Sequence, residues 1–197
     1  MHAIWVFVTD CGDSAVTVPL ALLTLVFLIA SGQRRCAVFW MLAIGGSAVA
    51  IAALKLAFGA CGQRLPLARI ISPSGHAAMS AAVYGSLALL AGTGLSPGRR
   101  HTLYLLTAAA VVAIAVSRLA LERHTLPEVV LGLLVGAGGV ALFGAALRRQ
   151  EAPALPLGWL MICGVAVVVV MHGTHWLVEP VLRRIAQVLR LAAPLCS

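Results

Sequence analysis

A chain of 197 residues with 61% hydrophobic content, 10% charged residues and a mean hydropathy of +1.03 lies outside the ordinary soluble globular class. Its net charge of +8 and pI near 10.3 do not mark a nucleic-acid binder, because the bases fall mostly in pairs at the ends of apolar runs and not in clusters with aromatics. The class left standing is an integral membrane protein.

The opening Met1 to Val8 is apolar, but it lacks a basic flank and runs into Asp10, Gly12 and Asp13. It reads as an interfacial or re-entrant piece, not as a cleavable signal peptide. Six apolar runs follow, near residues 14–31, 37–57, 76–93, 102–120, 126–147 and 157–175. Each approaches the ~20 residues that cross the hydrocarbon as a helix. Continuous apolar runs do not resemble the alternating strands of a membrane barrel, and a helix satisfies its own backbone in lipid. The expected fold class is therefore all-α, an integral membrane bundle of six transmembrane helices forming one domain over residues 1–197. Small residues are frequent in the runs, and Gly132 with Gly136 forms a four-residue spacing suited to close helix packing. Beyond the last run, residues 178–193 place Val181, Leu182, Ile185, Val188 and Leu189 at helical spacing among Arg183, Arg184 and Arg190. That pattern predicts an amphipathic helix on the outer membrane surface.

Arg34 and Arg35, Arg99 and Arg100, and Arg148 and Arg149 occupy alternate short loops, which places those loops on the cytoplasmic side. Both termini and the loops at 58–75 and 121–125 then face outward; in a bacterial inner membrane this is the periplasm. Cys11, Cys36, Cys61, Cys163 and Cys196 are too widely spaced for a metal or redox motif. Cys11 and Cys61 share the outer face, which leaves a disulfide between them open. His172 and His175, beside Trp176, suit interfacial anchoring.

Topology does not account for Lys55, Arg64, Arg69, Arg118, Arg123, His76, His124, Glu122 and Glu128. Any one of them at a span end can snorkel to water. Together they bring the ends of four spans to one side as a cationic cup. Within it, Ile71-Ser72-Pro73-Ser74-Gly75-His76 enters a helix start. One reading makes Ser74 a plain helix cap; the other makes Ser74, Gly75 and His76 a cradle for an anion such as phosphate, held by free N–H groups and the helix dipole. His124 has Glu128 four residues on, on the same helix face, so a carboxylate can hold one ring nitrogen while the other attacks phosphorus. His76, with no carboxylate nearby in sequence, is the candidate acid for the leaving oxygen. A zinc site is the rival for such a set, but no His-Glu-x-x-His occurs and flanking arginines oppose a cation.

Ser72-Pro73-Ser74-Gly75-His76, followed by Ser117-Arg118 and then His124 and Glu128, resembles the second and third signature motifs of the type 2 phosphatidic acid phosphatase superfamily. In words, those motifs are Pro-Ser-Gly-His, then Ser-Arg, five residues, His, three residues and Asp. The resemblance implies a phosphatase that needs no metal and no cofactor and works through a phosphohistidine. It assigns attack to His124, orientation of that ring to Glu128, protonation of the leaving group to His76, and phosphate binding to Ser74, the Gly75 amide and Arg118. Two departures stand out. Glu128 replaces the family's Asp, one methylene longer, and demands a small helix shift to compensate. The first motif, Lys, six residues, then Arg-Pro, is met by Lys55, with Arg64 or Arg69 as its arginine. The implied substrate is a lipid phosphate or pyrophosphate, undecaprenyl pyrophosphate or phosphatidylglycerophosphate among them; a lipid phosphotransferase and a non-catalytic carrier or sensor of anionic lipid are the alternatives. Partners are therefore membrane lipids and not nucleic acid, with no oligomeric state implied.

Overall fold

Most apolar runs start at a capping signal. Asp13 accepts a hydrogen bond from the Ala15 amide at 2.8 Å, Ser74 accepts one from the Ala77 amide at 3.4 Å, and Ser96-Pro97 and Thr125-Leu126-Pro127 put proline in the first helical turn. The computed structural model describes residues 1–61, 72–149, 156–174, 181–182, 184–185 and 187–188. Among them all regular structure is helical: α1 His2–Asp10, α2 Ser14–Ala30, α3 Arg34–Cys61, α4 Gly75–Gly92, α5 Pro97–Ala120, α6 Leu126–Leu147 and α7 Leu157–Met171. By length and composition four stretches can cross a membrane, His2–Ala30, Arg34–Gly59, Pro97–Ala120 and Leu126–Leu147, which makes this a multi-pass membrane protein.

Helix α4 is absent from that set because it lies inside the bundle. Its Ala77, Ala78, Ser80, Ala81, Ala82 and Ser86 are buried, and it packs on α6, α5, α3 and α2, so it needs small residues more than apolar ones. The closest seam is with α6. A Cβ on Gly132 would collide with the Ser74 carbonyl, and one on Gly136 with the Ala78 carbonyl, so this glycine pair brings the two backbones together beside the start of α4. At the far end, Trp40 of α3 donates its indole N–H to the Ala21 carbonyl at 3.0 Å and meets Phe143 of α6 edge-on at 5.5 Å. Leu22, Val26, Val49, Leu106, Leu134 and Val169 turn outward, more than two fifths exposed each, as a lipid-facing surface requires.

Boundaries differ from the hydropathy runs where polar residues belong to helices. Helix α5 begins at Pro97, ahead of 102, because Gly98 to His101 form its first turn; α7 ends at Met171, where His172 leaves the helix. The opening segment is itself the helix α1, packed against α5 and joined to α2 by a turn over residues 11–13. His172, expected at the interface, makes a contact within the protein: its ring lies tilted by 42° against Phe7 with centroids 4.3 Å apart, and Nε2–H donates to the Phe7 carbonyl at 2.9 Å. His175 lies outside the described residues. Of the tail at 178–193, residues 181–182, 184–185 and 187–188 are described and are helical.

At 1.5 Å rise per residue, Lys55 lies about 30 Å along α3 from Arg35, and Glu128 a similar distance along α6 from Arg148. The arginine pairs and the charged cup therefore occupy opposite ends of the bundle.

Candidate active site

Gly75 and His76 open α4, whose first-turn amides lack intrahelical partners. Ser74, fully buried, caps this turn, and its amide donates to the Glu128 carbonyl at 3.0 Å. Lys55, 8% exposed, comes down from α3 so that its Cε lies 3.4 Å from where a Gly75 Cβ would stand; its Nζ reaches Ser72 Oγ at 3.4 Å.

Between α5 and α6 the chain reverses in a Schellman turn: the Arg123 amide donates to the Arg118 carbonyl and the Glu122 amide to the Leu119 carbonyl, both at 3.0 Å. Glu122 occupies the left-handed position at φ 53°, where glycine is usual. The turn brings His124 back over Arg118, with the His124 amide 3.3 Å from the same carbonyl. Relieving the backbone by Glu122→Gly stabilises the fold by about 1 kcal/mol, offset in part by the extra freedom of an unfolded glycine. Chemical denaturation in detergent measures this; a clear loss of stability would show that the Glu122 side chain contributes more than its backbone costs.

Helix α6 then supplies Glu128, 4% exposed, whose two oxygens meet three donors among the described residues. Oε1 accepts from the Ser72 amide at 2.8 Å; Oε2 accepts from the Thr125 amide and from His124 Nδ1, each at 3.0 Å. The bond to Thr125 is the return half of a capping box, which a longer acid at the third helical position makes readily. The extra methylene relative to Asp is taken up by this fold-back, and the helix shift expected from the sequence is unnecessary. Nδ1–H is held, and Nε2 remains as the ring nitrogen without a carboxylate.

The fourth contribution comes from the N-terminal turn. Arg118 Nη1 donates to Thr9 Oγ1 at 2.9 Å, and Asp13 Oδ2 stands 3.4 Å from His76 Nε2. These groups surround a cavity of about 330 Å³. Lys55, Gly75, His76, Arg118, Arg123 and His124 form its charged wall, with Asp13 beside them. Val18, Ala48, Ile51, Ala52, Met79 and Leu182 form an apolar wall that continues among α2, α3 and α4.

Of the residues singled out from sequence, Lys55, Gly75, His76, Arg118 and His124 meet in this cavity, with Glu128 behind His124. Ser74 is not on the wall; it holds the turn from behind. Arg64 and Arg69 lie outside the described residues, as does the side chain of Cys61; Cys11 carries a free thiol. Sequence reasoning missed Thr9 and Asp13, and assigned no role to Arg123, although its place next to His124 was a signal. A model of the PAP2 superfamily matches residues 59–152, which include the Ser72–His76 and Ser117–Glu128 segments. An uncharacterized 22.5 kDa protein in the cps region of Klebsiella pneumoniae is 32% identical over 150 residues, covering 76% of this chain and 72% of its own. The chain belongs to the PAP2 superfamily. Members of the PAP2 superfamily are phosphatases, which supports a phosphatase-type activity on phosphoric esters for this chain. No solved structure matches the chain.

His124 is shifted toward its neutral form. Burial is the main cause that pushes its pKa below the usual histidine value, Arg118 and Lys55 push the same way, and Glu128 opposes them. The balance of these causes favours the neutral ring.

Proposed function

We propose that this protein is a metal-independent phosphatase of a membrane lipid phosphate or pyrophosphate, acting through a phosphohistidine on His124. The observation that carries the reading is the His124–Glu128 pair on the wall of a cationic cavity: Nδ1 is held at 3.0 Å and Nε2 is left to attack. Lys55, Arg118 and the Gly75 amide hold the phosphoryl oxygens and neutralise the charge that gathers on them. Ser74 acts one step back, by capping the turn that aims this amide. His76 protonates the leaving oxygen.

Substrate class follows from the two walls. A cavity of about 330 Å³ accommodates a phosphorylated headgroup and the first carbons of its chain, and its apolar side opens the way for the rest of the chain to remain in lipid. Small headgroups fit, with undecaprenyl pyrophosphate and phosphatidylglycerophosphate as the leading candidates. The arginine pairs at the opposite end favour an outward-facing site, the periplasmic face in a bacterial host. A reporter fused after Arg149 then reads cytoplasmic; an outside reading inverts the assignment.

The test is release of inorganic phosphate from each lipid by the purified protein in detergent with EDTA present. Release supports the reading. Phosphate appearing only on a second lipid indicates a phosphotransferase, and neither result points to a carrier or sensor. The pH dependence adds a sign. Because attack needs neutral His124 and its pKa is lowered, kcat/KM falls on the acid side only below about pH 6.5, the ordinary histidine value. An acid limb centred above that value contradicts His124 as the nucleophile.

A further inference from the structure

His76 has a carboxylate of its own, contributed from the other end of the sequence. Asp13 Oδ2 is 3.4 Å from His76 Nε2, with the Asp side chain 10% and the His side chain 23% exposed. The turn that carries Asp13 is fixed on several sides. Thr9 accepts from Arg118, and Tyr84 donates to the Cys11 carbonyl at 2.5 Å. Gly12 lies so close to α4 and α5 that a Cβ there would stand 2.6 Å from Ile114 Cγ2 and 2.9 Å from Ser80 Oγ. Ser80 in turn donates to the His76 carbonyl. The two oxygens of Asp13 have separate tasks. Oδ1 caps α2 through the Ala15 amide, a task that Asn or Ser performs as well. The negative charge and Oδ2 exceed what the cap requires, and they face His76.

We propose that Asp13 is the positioning residue for the acid His76, holding Nε2–H so that Nδ1 carries the proton given to the leaving oxygen. The inference rests on the phosphohistidine reading and adds to it a residue outside the segment that the family model matches. The two histidines become complementary: Glu128 takes Nδ1–H of His124 and frees Nε2, whereas Asp13 takes Nε2–H of His76 and frees Nδ1. Among the described residues the charged groups around His76 are Asp13 from the α1–α2 turn, Arg118 from α5 and Lys55 from α3. Burial is the largest influence against an imidazolium and the two cations add to it, so Asp13 is the group that sustains the proton.

In the first step His124 Nε2 forms a bond to phosphorus as the bond from phosphorus to the leaving oxygen breaks. That oxygen keeps the electron pair and takes the Nδ1 proton, so His76 becomes neutral with Nε2–H still on Asp13. In the second step a water oxygen bonds to phosphorus, its proton passes to His76 Nδ1, and the phosphorus–nitrogen bond breaks with its electrons returning to His124. Inorganic phosphate leaves and the imidazolium is restored.

The experiment compares full-length wild type, Asp13→Asn and Asp13→Glu in detergent on two substrates. A long-chain alkyl monophosphate has a leaving alkoxide that needs a proton; p-nitrophenyl phosphate has a leaving group that does not. Asp13→Asn is expected to lower kcat/KM on the alkyl phosphate by about 10²-fold, the low end for a general acid, and kcat/KM on the aryl phosphate, which reports only the first step, by less than about threefold. Asp13→Glu recovers most of the alkyl rate. In ¹⁵N-histidine spectra the His76 ring changes its protonation pattern in Asp13→Asn, while the His124 ring does not. Asn retains the α2 cap, and Asp13→Ser serves as the carboxylate-free variant if Asp13→Asn does not fold. Equal losses on both substrates, or no loss on either, overturn the role of Asp13 and leave the phosphatase reading in place. A wild type inactive on both substrates overturns the two together.

Discussion

Replacing His124 by Ala is expected to lower kcat/KM by roughly 10⁴- to 10⁶-fold, the scale of losing a covalent nucleophile, and to remove the acid-labile, alkali-stable phosphate that the proposed mechanism puts on the wild-type protein during turnover. The expectation follows from geometry. Glu128 fixes the ring through Nδ1, three cationic side chains, Lys55, Arg118 and Arg123, line the cavity where the phosphoryl group arrives, and burial keeps the ring neutral. The substitution is mild structurally, because His124 sits in a turn held by backbone bonds and Glu128 retains the Ser72 and Thr125 amides as donors. Loss of activity with an unchanged melting point is therefore chemical. Quenching a reaction with labelled substrate in alkali distinguishes the two histidines: His124→Ala shows no labelled protein, while His76→Ala still accumulates label from an aryl phosphate. Full activity in His124→Ala would remove the mechanism altogether.

What the sequence made legible was local. Lys55, Gly75, His76, Arg118, His124 and Glu128 lie at ends of apolar runs, and helix length alone brings those ends to one face of a membrane. Capping residues marked most of the starts. Contacts made by burying one element against another were not legible. Nothing in the chain pairs Asp13 with His76 or Thr9 with Arg118, because each contact depends on how the α1–α2 turn wedges against α4 and α5, and Asp13 was already accounted for as a cap. Glu122 at φ 53° was hidden for a different reason: a left-handed C′ position announces itself only when glycine fills it. Ser74 shows the reverse. Its place in the motif suggested contact with phosphate as well as a cap, and what the structure describes is the cap, a bond from the Ala77 amide to a fully buried hydroxyl.

Glu128 is expected to be the most demanding position after His124, for reasons of bonding as much as charge. Its oxygens accept from Ser72 N–H, Thr125 N–H and His124 Nδ1–H, so every lone-pair direction in use faces a donor. In Glu128→Gln the new NH₂ group must face one of these donors. If it faces His124, the ring adopts the opposite tautomer with the proton on Nε2, and attack stops; a comparable tautomer error in another carboxylate–histidine pair costs about 10⁴-fold. If it faces Ser72, the loop before α4 loses its anchor and the Gly75 amide shifts. Either orientation lowers kcat, by at least about 10²-fold, while KM stays within about threefold because Lys55 and Arg118 are untouched. Glu128→Ala goes further, leaving the Ser72 and Thr125 amides without their acceptor; with Ser72 half-buried and Thr125 exposed, water replaces part of the loss and the melting point falls modestly. Glu128→Asp separates reach from charge. It restores the residue usual in the family but ends about 1.5 Å short, one carbon–carbon bond, so it cannot span Ser72 on one side and Thr125 with His124 on the other. Activity in Glu128→Asp is expected between that of Gln and wild type. Wild-type activity in Glu128→Asp would show that only the bond to His124 matters, and an unchanged rate in Glu128→Gln would show that Glu128 does not orient the ring at all.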